Sequence, residues 1–163
     1  MVKIEVEEKD GKIKCPLKGN VWHVATPEEK VRQRYIVTLV NDYGYSLDQM
    51  AQELRVTRSS RGKGNARADI VIWKSRKDKD DKKAAFIVVE CKAENVKIHS
   101  EDYYQGFNYA SWANAEFFVT TNEKETKFFN VDPTYLPEKL EEIVAIPTAK
   151  DIENLKKIKQ IKS

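Results

Sequence analysis

The first third of the chain passes from an alternating hydrophobic pattern to a helical one. Residues 3–15 alternate roughly between polar and apolar side chains around Asp10-Gly11, a dipeptide favoured in tight turns, and they predict a short β-hairpin. A helix is predicted next, because Thr26-Pro27 supplies a capping residue and then a proline suited to the first helical position. Apolar side chains recur at helical spacing over residues 31–40, until an Asn-Asp-Tyr-Gly segment should end the helix.

The rest of the pattern predicts a mixed sheet flanked by helices. Residues 46–54 place their apolar side chains on one helical face and predict a second, short helix. Residues 68–73 and 84–92 predict two strands joined by a charged turn, and the unbroken apolar run of the second strand indicates a central position covered on both faces. The remaining segments predict a helix over 100–114, strands over 116–121 and 126–131, and helical character from Pro137 onward. This order is typical of an α/β domain.

Length, apolar runs and cysteine content restrict the cellular location expected of such a domain. A length of 163 residues fits one domain. The longest apolar run, residues 84–89, is too short to span a membrane, and the N-terminal residues lack the apolar core of a signal peptide. Cys15 and Cys91 are too few for a disulfide framework, and Cys91 is expected to be a buried free thiol in the central strand. We therefore expect a cytoplasmic protein without membrane association.

The net charge is only +3, so the positions of the charged residues say more about binding partners than the total charge does. One segment contains glycines and no acidic residue, and its basic side chains are Arg55, Arg58, Arg61, Lys63 and Arg67. A flexible cationic loop of this kind suits a polyanion, because phosphate contacts drive nucleic-acid binding. An ordinary solvated loop is the alternative interpretation of the same residues.

The central strand ends in Glu90-Cys91-Lys92, where charged side chains replace the apolar run. Residues two apart in a strand point to one face, so Glu90 and Lys92 should stand side by side while Cys91 points into packing. A turn centred near residues 78–80 would bring Asp69 opposite residues 88–90. Two carboxylates held close together repel unless a cation lies between them, and Mg²⁺ suits phosphate substrates. The pattern therefore predicts a Mg²⁺ site at Asp69 and Glu90.

Lys92 would complete the chemistry of such a site. Beside a metal-bound water, an ammonium group can orient the nucleophile and neutralise charge that develops on a phosphate. The alternative is a salt bridge at the end of a strand, with Lys92 simply paired to Glu90 or Asp69.

Two further groups of residues could converge on this point. Gln105 and Tyr109 are four apart on the predicted helix, share one face and can hydrogen-bond phosphate oxygens, with plain surface polarity of the helix as the strong alternative. Glu28 and Glu29 could supply a third carboxylate, and Glu28 is slightly favoured because it shares a face with Val31. First-turn compensation of the helix dipole is the alternative for both glutamates.

These residues resemble a known family. Asp69 followed by Glu90-x-Lys92 resembles the PD-(D/E)xK nuclease superfamily, with Ala68 in place of the nominal proline, and Gln105-x-x-x-Tyr109 is similar to the additional motif of its RecB-like branch. Four segments most resemble the N-terminal nuclease domain of type I restriction enzyme R subunits: TPEEKVRQRYI, RADIVI, VVECKAE and QGFNYASWANAEFFVTTN. The resemblance covers roughly residues 20–150.

The resemblance implies a restriction-endonuclease-like fold, a divalent metal and hydrolysis of DNA phosphodiester bonds. It implies that Asp69 and Glu90 ligate Mg²⁺, which Mn²⁺ could replace, with the backbone carbonyl of Cys91 as a further ligand. Lys92 would be catalytic. Gln105 and Tyr109 would be accessory residues that contact DNA, together with the basic loop, and a glutamate at 28 or 29 would be the carboxylate borne by the helix.

The expected organisation is a single nuclease domain over residues 1–163. It comprises a hairpin extension (1–19), the nuclease core (20–150) and a basic C-terminal helix (151–163). Type I R subunits also carry an ATP-driven motor, and no G-x-x-x-x-G-K-[ST] phosphate loop occurs here. The chain is thus either an excised domain or a stand-alone relative, with a separate motor or restriction–modification subunits as possible partners and its oligomeric state open.

Two functions fit the sequence. The first is a Mg²⁺-dependent DNA endonuclease, and the second is a non-catalytic DNA-binding or assembly module that keeps the nuclease fold. For the endonuclease, Asp69→Ala or Lys92→Ala is expected to abolish cleavage while leaving the fold intact.

Overall fold

The computed structural model describes residues 3–55, 67–99, 114–131 and 141–154. Its strands form a three-stranded sheet near the N-terminus and a six-stranded sheet that contains the remaining described strands. The strands are β1 (Glu8–Lys9), β2 (Lys12–Lys14), β3 (Trp22–Val24), β4 (Met50–Arg55), β5 (Arg67–Ile72), β6 (Ile87–Cys91), β7 (Phe117–Thr121), β8 (Thr126–Asn130) and β9 (Glu141–Ile143). The helices are α1 (Pro27–Asn41) and α2 (Arg76–Asp80), and residues 149–154 are also helical.

The N-terminal hairpin is present as predicted. Strands β1 and β2 pair antiparallel on either side of Asp10-Gly11, and both turn residues have positive φ, 53° and 74°, as a tight two-residue hairpin turn requires. Strand β3, which the pattern did not predict, pairs antiparallel with β2. Ile13 is fully buried, so this small sheet is anchored through its inner face.

Helix α1 begins and ends where the sequence predicts. The Thr26 hydroxyl accepts a hydrogen bond from the Glu29 backbone N–H at 3.2 Å, and Pro27 is the first helical residue. Its buried face, which includes Ile36 and Leu39, packs against β5 and β6. The helix thereby carries its N-terminal residues, with Glu28 and Glu29, to one end of the central strands.

The predicted second helix over residues 46–54 is wrong. Leu47–Gln49 form a short 3₁₀ turn with a Ser46–Gln49 capping box, and the chain then enters β4. Strand β4 pairs antiparallel with β5, with Met50 opposite Ile72. The short apolar pattern fits a helix or a strand, and hydrogen bonding to the neighbouring strand decides between them.

The six-stranded sheet has the order β4-β5-β6-β7-β8-β9. All neighbours are antiparallel except β6 and β7, so the sheet is mixed, and every residue of β6 is buried, as predicted for a central strand. The charged turn between β5 and β6 contains α2, which has no buried residue. Strands β7 and β8 confirm the two strands predicted over 116–131. The helix predicted over 100–114 lies outside the described residues, apart from residue 114.

The end of the chain is helical only in part. Residues 141–143 form β9 at the edge of the sheet, so the helical character predicted from Pro137 onward is wrong there. Residues 149–154 are helical, in agreement with the prediction.

Both faces of the sheet are covered by apolar side chains. On one face, Ile70, Ile87 and Val89 pack with the buried side of α1. On the other, Val88 packs in a cluster that contains the stacked rings of Phe118 and Phe129, whose centroids are 4.6 Å apart. The fold class is therefore α/β with a mixed central sheet, consistent with a restriction-endonuclease-like fold. Within the described ranges, no helix combines the length and apolar character needed to cross a membrane.

Candidate active site

The structure brings Asp69 beside the Glu90–Lys92 segment. The register of β5 and β6 pairs Ile70 with Val89, and extending it by one residue places Asp69 opposite Glu90. The Asp69 carboxylate oxygen Oδ2 accepts a hydrogen bond from the backbone N–H of Cys91 at 2.7 Å. The sequence therefore predicted this meeting point correctly, because in an antiparallel pair the midpoint of the connection determines which residues lie opposite each other.

Glu90 and Cys91 end β6 and Lys92 follows them, and the three side chains have different surroundings. The Lys92 ammonium lies 3.2 Å from Glu90 Oε1, and the Glu90 side chain is only 8% exposed. Cys91 lies in the apolar cluster under α1, where burial raises the pKa of its thiol well above the usual value. Cys91 is thus a neutral, buried, free thiol, as predicted, and only its backbone is available to the site.

Arg32 of α1 and its partner Glu53 of β4 are site residues that the sequence pattern did not predict. The Arg32 guanidinium Nη2 donates to Asp69 Oδ1 at 2.7 Å, while Nη1 donates to Glu29 Oε2 at 2.6 Å and to Glu53 Oε1 at 3.1 Å. Burial by itself lowers the pKa of Arg32, but the hydrogen bond and charge of Asp69, followed by the charges of Glu29 and Glu53, raise it above its ordinary value. The guanidinium is therefore a permanent buried cation.

A signal for Arg32 was present in the helical pattern. Arg32 lies four residues before Ile36 and seven before Leu39, so it falls on the apolar face of α1. A charged side chain on that face must find a buried partner, because an unpaired ion in the core is strongly unfavourable. The pattern could have indicated a buried ion pair, but not which acid completes it.

A polar network ties Glu29 to the scaffold behind the site. The Gln33 amide donates to Glu29 Oε1 at 2.8 Å and to Gln52 Oε1 at 3.0 Å, and the Cys15 thiol donates to the same Gln52 oxygen at 3.2 Å. These bonds connect α1, β4 and the N-terminal sheet. They also engage the carboxylate of Glu29 with Gln33 and Arg32.

Glu28 is the helix glutamate whose charge is coupled to the site. Its pKa is raised from its ordinary value, mainly by partial burial and then by the negative charge of Asp69, while Arg32 and Lys92 act to lower it. Of the two glutamates left open by the sequence, Glu28 is thus the electrostatic neighbour of Asp69 and Lys92, and Glu29 is the hydrogen-bonded partner of Arg32.

The cluster contains the oxygen donors of a divalent-cation site, but among the described residues its side chains are not grouped as one. Five acidic side chains surround two basic ones: Glu28, Glu29, Glu53, Asp69 and Glu90 around Arg32 and Lys92. All potential ligands are oxygens, which Mg²⁺ prefers. In the arrangement seen, however, Asp69 is engaged by Arg32 and Glu90 by Lys92. Across the described ranges, no three His, Cys, Asp or Glu side chains are grouped so that they could hold a metal ion.

Most of the other predicted functional residues lie outside the described residues, and Arg67 is the exception. Gln105 and Tyr109 lie outside the described residues, as do Arg58, Arg61 and Lys63 of the basic loop. Arg67 is the first residue of β5, so that loop leads into the strand that carries Asp69.

The raised pKa of Glu28 leads to a prediction about stability. Ionisation of Glu28 is less favourable in the folded protein than in the unfolded chain, so its charge lowers the free energy of unfolding at neutral pH. We expect Glu28→Gln to raise the thermal unfolding midpoint at pH 7. The gain should disappear well below pH 4.5, the ordinary pKa, because Glu28 is then protonated in both states.

Unfolding followed by circular dichroism across this pH range measures the effect. Glu5→Gln, which removes an exposed acid of the N-terminal segment, is the matched control. A Glu28→Gln protein that is less stable than the parent at pH 7 would contradict the assigned position of Glu28.

The fold and the acidic cluster together describe one kind of domain. It is an α/β domain in which acidic side chains gather with an arginine and a lysine at the end of two central strands. A family model described as the type I restriction enzyme R protein N terminus (HSDR_N) matches residues 27–147. The chain belongs to this family, which confirms the link to type I R subunits inferred from its sequence segments.

The family match begins at the first residue of α1. The three-stranded N-terminal sheet therefore precedes the matched region, while α1, β4 to β9 and the acidic cluster lie within it. A search of curated proteins and a search of solved structures each find no significant match.

Proposed function

We propose that this chain is a Mg²⁺-dependent DNA endonuclease of the PD-(D/E)xK type. The observation that carries the proposal is the position of Asp69, whose carboxylate is bonded to the Cys91 N–H between Glu90 and Lys92. Membership of the type I restriction R protein family supports a nuclease role. The surplus of acidic groups around two basic ones supports the binding of a cation.

The proposed metal ligands and Lys92 have distinct roles in this mechanism. Asp69, Glu90 and the Cys91 carbonyl would hold Mg²⁺ or Mn²⁺, with Glu28 as the carboxylate from α1. The bound ion would polarise the scissile phosphate and lower the pKa of a water molecule. Lys92 would orient that water and donate hydrogen bonds to the phosphate as negative charge accumulates.

The remaining residues that the sequence singled out would hold the substrate. We assign phosphate contacts to Gln105 and Tyr109, and to the cationic loop that leads into β5 (Arg58, Arg61, Lys63 and Arg67). Backbone contacts of this kind position DNA without reading its sequence. The proposed setting is a restriction system in which a motor or modification subunits deliver the DNA.

A non-catalytic DNA-binding module is the second candidate, and one observation favours it. Both carboxylate oxygens of Asp69 already have partners, the Arg32 guanidinium and the Cys91 N–H. A site that serves only as structure would keep such internal pairs permanently. The two candidates differ in whether DNA is cut or only bound.

The test is a cleavage assay with the purified chain. Circular, linear and single-stranded DNA are incubated with Mg²⁺, with Mn²⁺ and with a chelator, and Glu90→Gln is prepared identically to exclude contaminating nucleases. Cleavage by the parent that requires the cation and is lost in Glu90→Gln supports the endonuclease. Binding of DNA without cleavage of any substrate, under either cation, would establish the non-catalytic module.

A further inference from the structure

We propose that Arg32 is a built-in counter-cation, which competes with the divalent ion for Asp69 and sets the affinity of the site for that ion. This inference rests on the proposed function only in assuming that a divalent cation binds at Asp69. Arg32 is not assigned a contact with substrate. It would act through Asp69, as a positioning residue.

The Arg32 guanidinium occupies the position beside Asp69 that a bound cation would need. Its Nη2 is 2.7 Å from Asp69 Oδ1, a short, charge-assisted hydrogen bond. Within the described ranges, the buried Nε of Arg32 has no hydrogen-bond partner. The guanidinium is therefore oriented by its carboxylates and not by full satisfaction of its own donors.

Arg32 would stay paired with other acids if a divalent ion displaced it from Asp69. Its Nη1 contacts Glu29 and Glu53, so two acids balance the guanidinium on the side away from Asp69. Glu29 is itself fixed by Gln33, whereas the Glu53 side chain is 42% exposed and can follow a moving partner. Loss of the bond to Asp69 would leave Arg32 paired, which keeps the exchange between arginine and ion accessible.

The backbone at Glu53 is held in an unusual conformation. Glu53 has a φ of 51°, in the left-handed region, and it lies in β4 between Gln52 and Leu54, both of which pair with β5. Side chains other than glycine persist there only where surrounding contacts impose it, and such positions are concentrated at functional sites. The contact of Glu53 with Arg32 is a strong reason for the conformation to be maintained.

The consequence is a site that is stable without metal and binds metal weakly. In the absence of an ion, Arg32 neutralises the acids that would otherwise repel one another. A divalent ion at Asp69 meets a like charge within hydrogen-bond range, so part of its binding energy is spent in displacing Arg32. Removing the guanidinium should reverse both effects.

The experiment compares thermal unfolding and calorimetric binding of Mg²⁺ and Ca²⁺ in parent, Arg32→Met and Asp69→Asn proteins. We expect Arg32→Met to unfold at a lower temperature in chelator, yet to be stabilised more by cation than the parent. Its dissociation constant for the cation should fall by about tenfold or more. Asp69→Asn should weaken the cation-dependent gain, because the ligand charge is lost.

Arg34→Met is the matched control, because Arg34 lies on the same helix and pairs with the exposed acids Glu8 and Glu123. It should leave the cation response of the parent unchanged. If Arg32→Met fails to fold, Arg32→Lys gives the same comparison, with an expected response between those of the parent and a neutral side chain.

Equal, non-zero cation responses in the parent and the Arg32 variants would overturn the role of Arg32 and leave the proposed nuclease standing. Absence of any cation response in all of them would overturn both. A structural role alone would lower stability equally with and without cation, which this design separates from competition.

Discussion

Replacing Lys92 with alanine is expected to slow Mg²⁺-dependent DNA cleavage by about 10²- to 10⁴-fold. The Lys92 ammonium stands 3.2 Å from Glu90, at the end of the strand where the cation is proposed to bind. It would act on the attacking water and on the charged phosphate, and therefore chiefly in the transition state. The loss should appear in the rate constant for single-turnover cleavage of a labelled duplex, with little change in DNA affinity.

Lys127→Ala is the matched control for this experiment. Lys127 is a similarly half-buried lysine on β8, paired with Glu125 and Glu142, and it lies opposite Thr120, which in turn neighbours Glu90. Its removal takes away a charge at the same level of the sheet and should leave cleavage within about twofold, since exposed ion pairs contribute little. Wild-type rates in Lys92→Ala would remove the catalytic role of that lysine.

Replacing Asp69 with alanine is expected to lower the free energy of unfolding by about 3 kcal/mol, in addition to abolishing cleavage. The change leaves the buried Arg32 guanidinium short of one partner and deprives the Cys91 N–H of its acceptor. Because Glu29 and Glu53 still contact Arg32, the loss should lie at the lower end of the range for broken buried pairs. Urea unfolding measures it.

Two comparisons separate the ion pair from other effects of the substitution. Asp69→Asn keeps an oxygen acceptor and should cost less, and the double variant Asp69→Ala with Arg32→Met should recover part of the loss, because no unpaired charge remains. Asp80→Ala, at an exposed pair with Arg76, should change stability by no more than about 0.5 kcal/mol. A fully stable Asp69→Ala protein would contradict the buried pair.

The structure changes the effect on folding that is expected of Asp69→Ala. From the sequence alone, Asp69 is expected to be a metal ligand whose removal leaves the fold intact. Its contacts with Arg32 and the Cys91 backbone make it part of the core as well as of the candidate site. Catalytic loss in Asp69→Ala is therefore informative only when folding is measured beside it.

Elements whose signals are local could be predicted from the sequence. The capped start of α1, the Asp10-Gly11 hairpin and the buried strand β6 all follow from neighbouring residues. The meeting of Asp69 with Glu90 could also be predicted, because β5 and β6 are antiparallel and the midpoint of their connection determines which residues lie opposite each other.

Features that depend on packing between distant segments could not be predicted from the sequence. The pattern of residues 50–54 suits a helix or a strand, and pairing with β5 made it β4. Arg32 and Asp69 are 37 residues apart, and their contact exists because the apolar face of α1 packs across β5 and β6. Periodicity shows that a helix has a buried face, but the shapes and positions of its neighbours select the partner of each side chain on it.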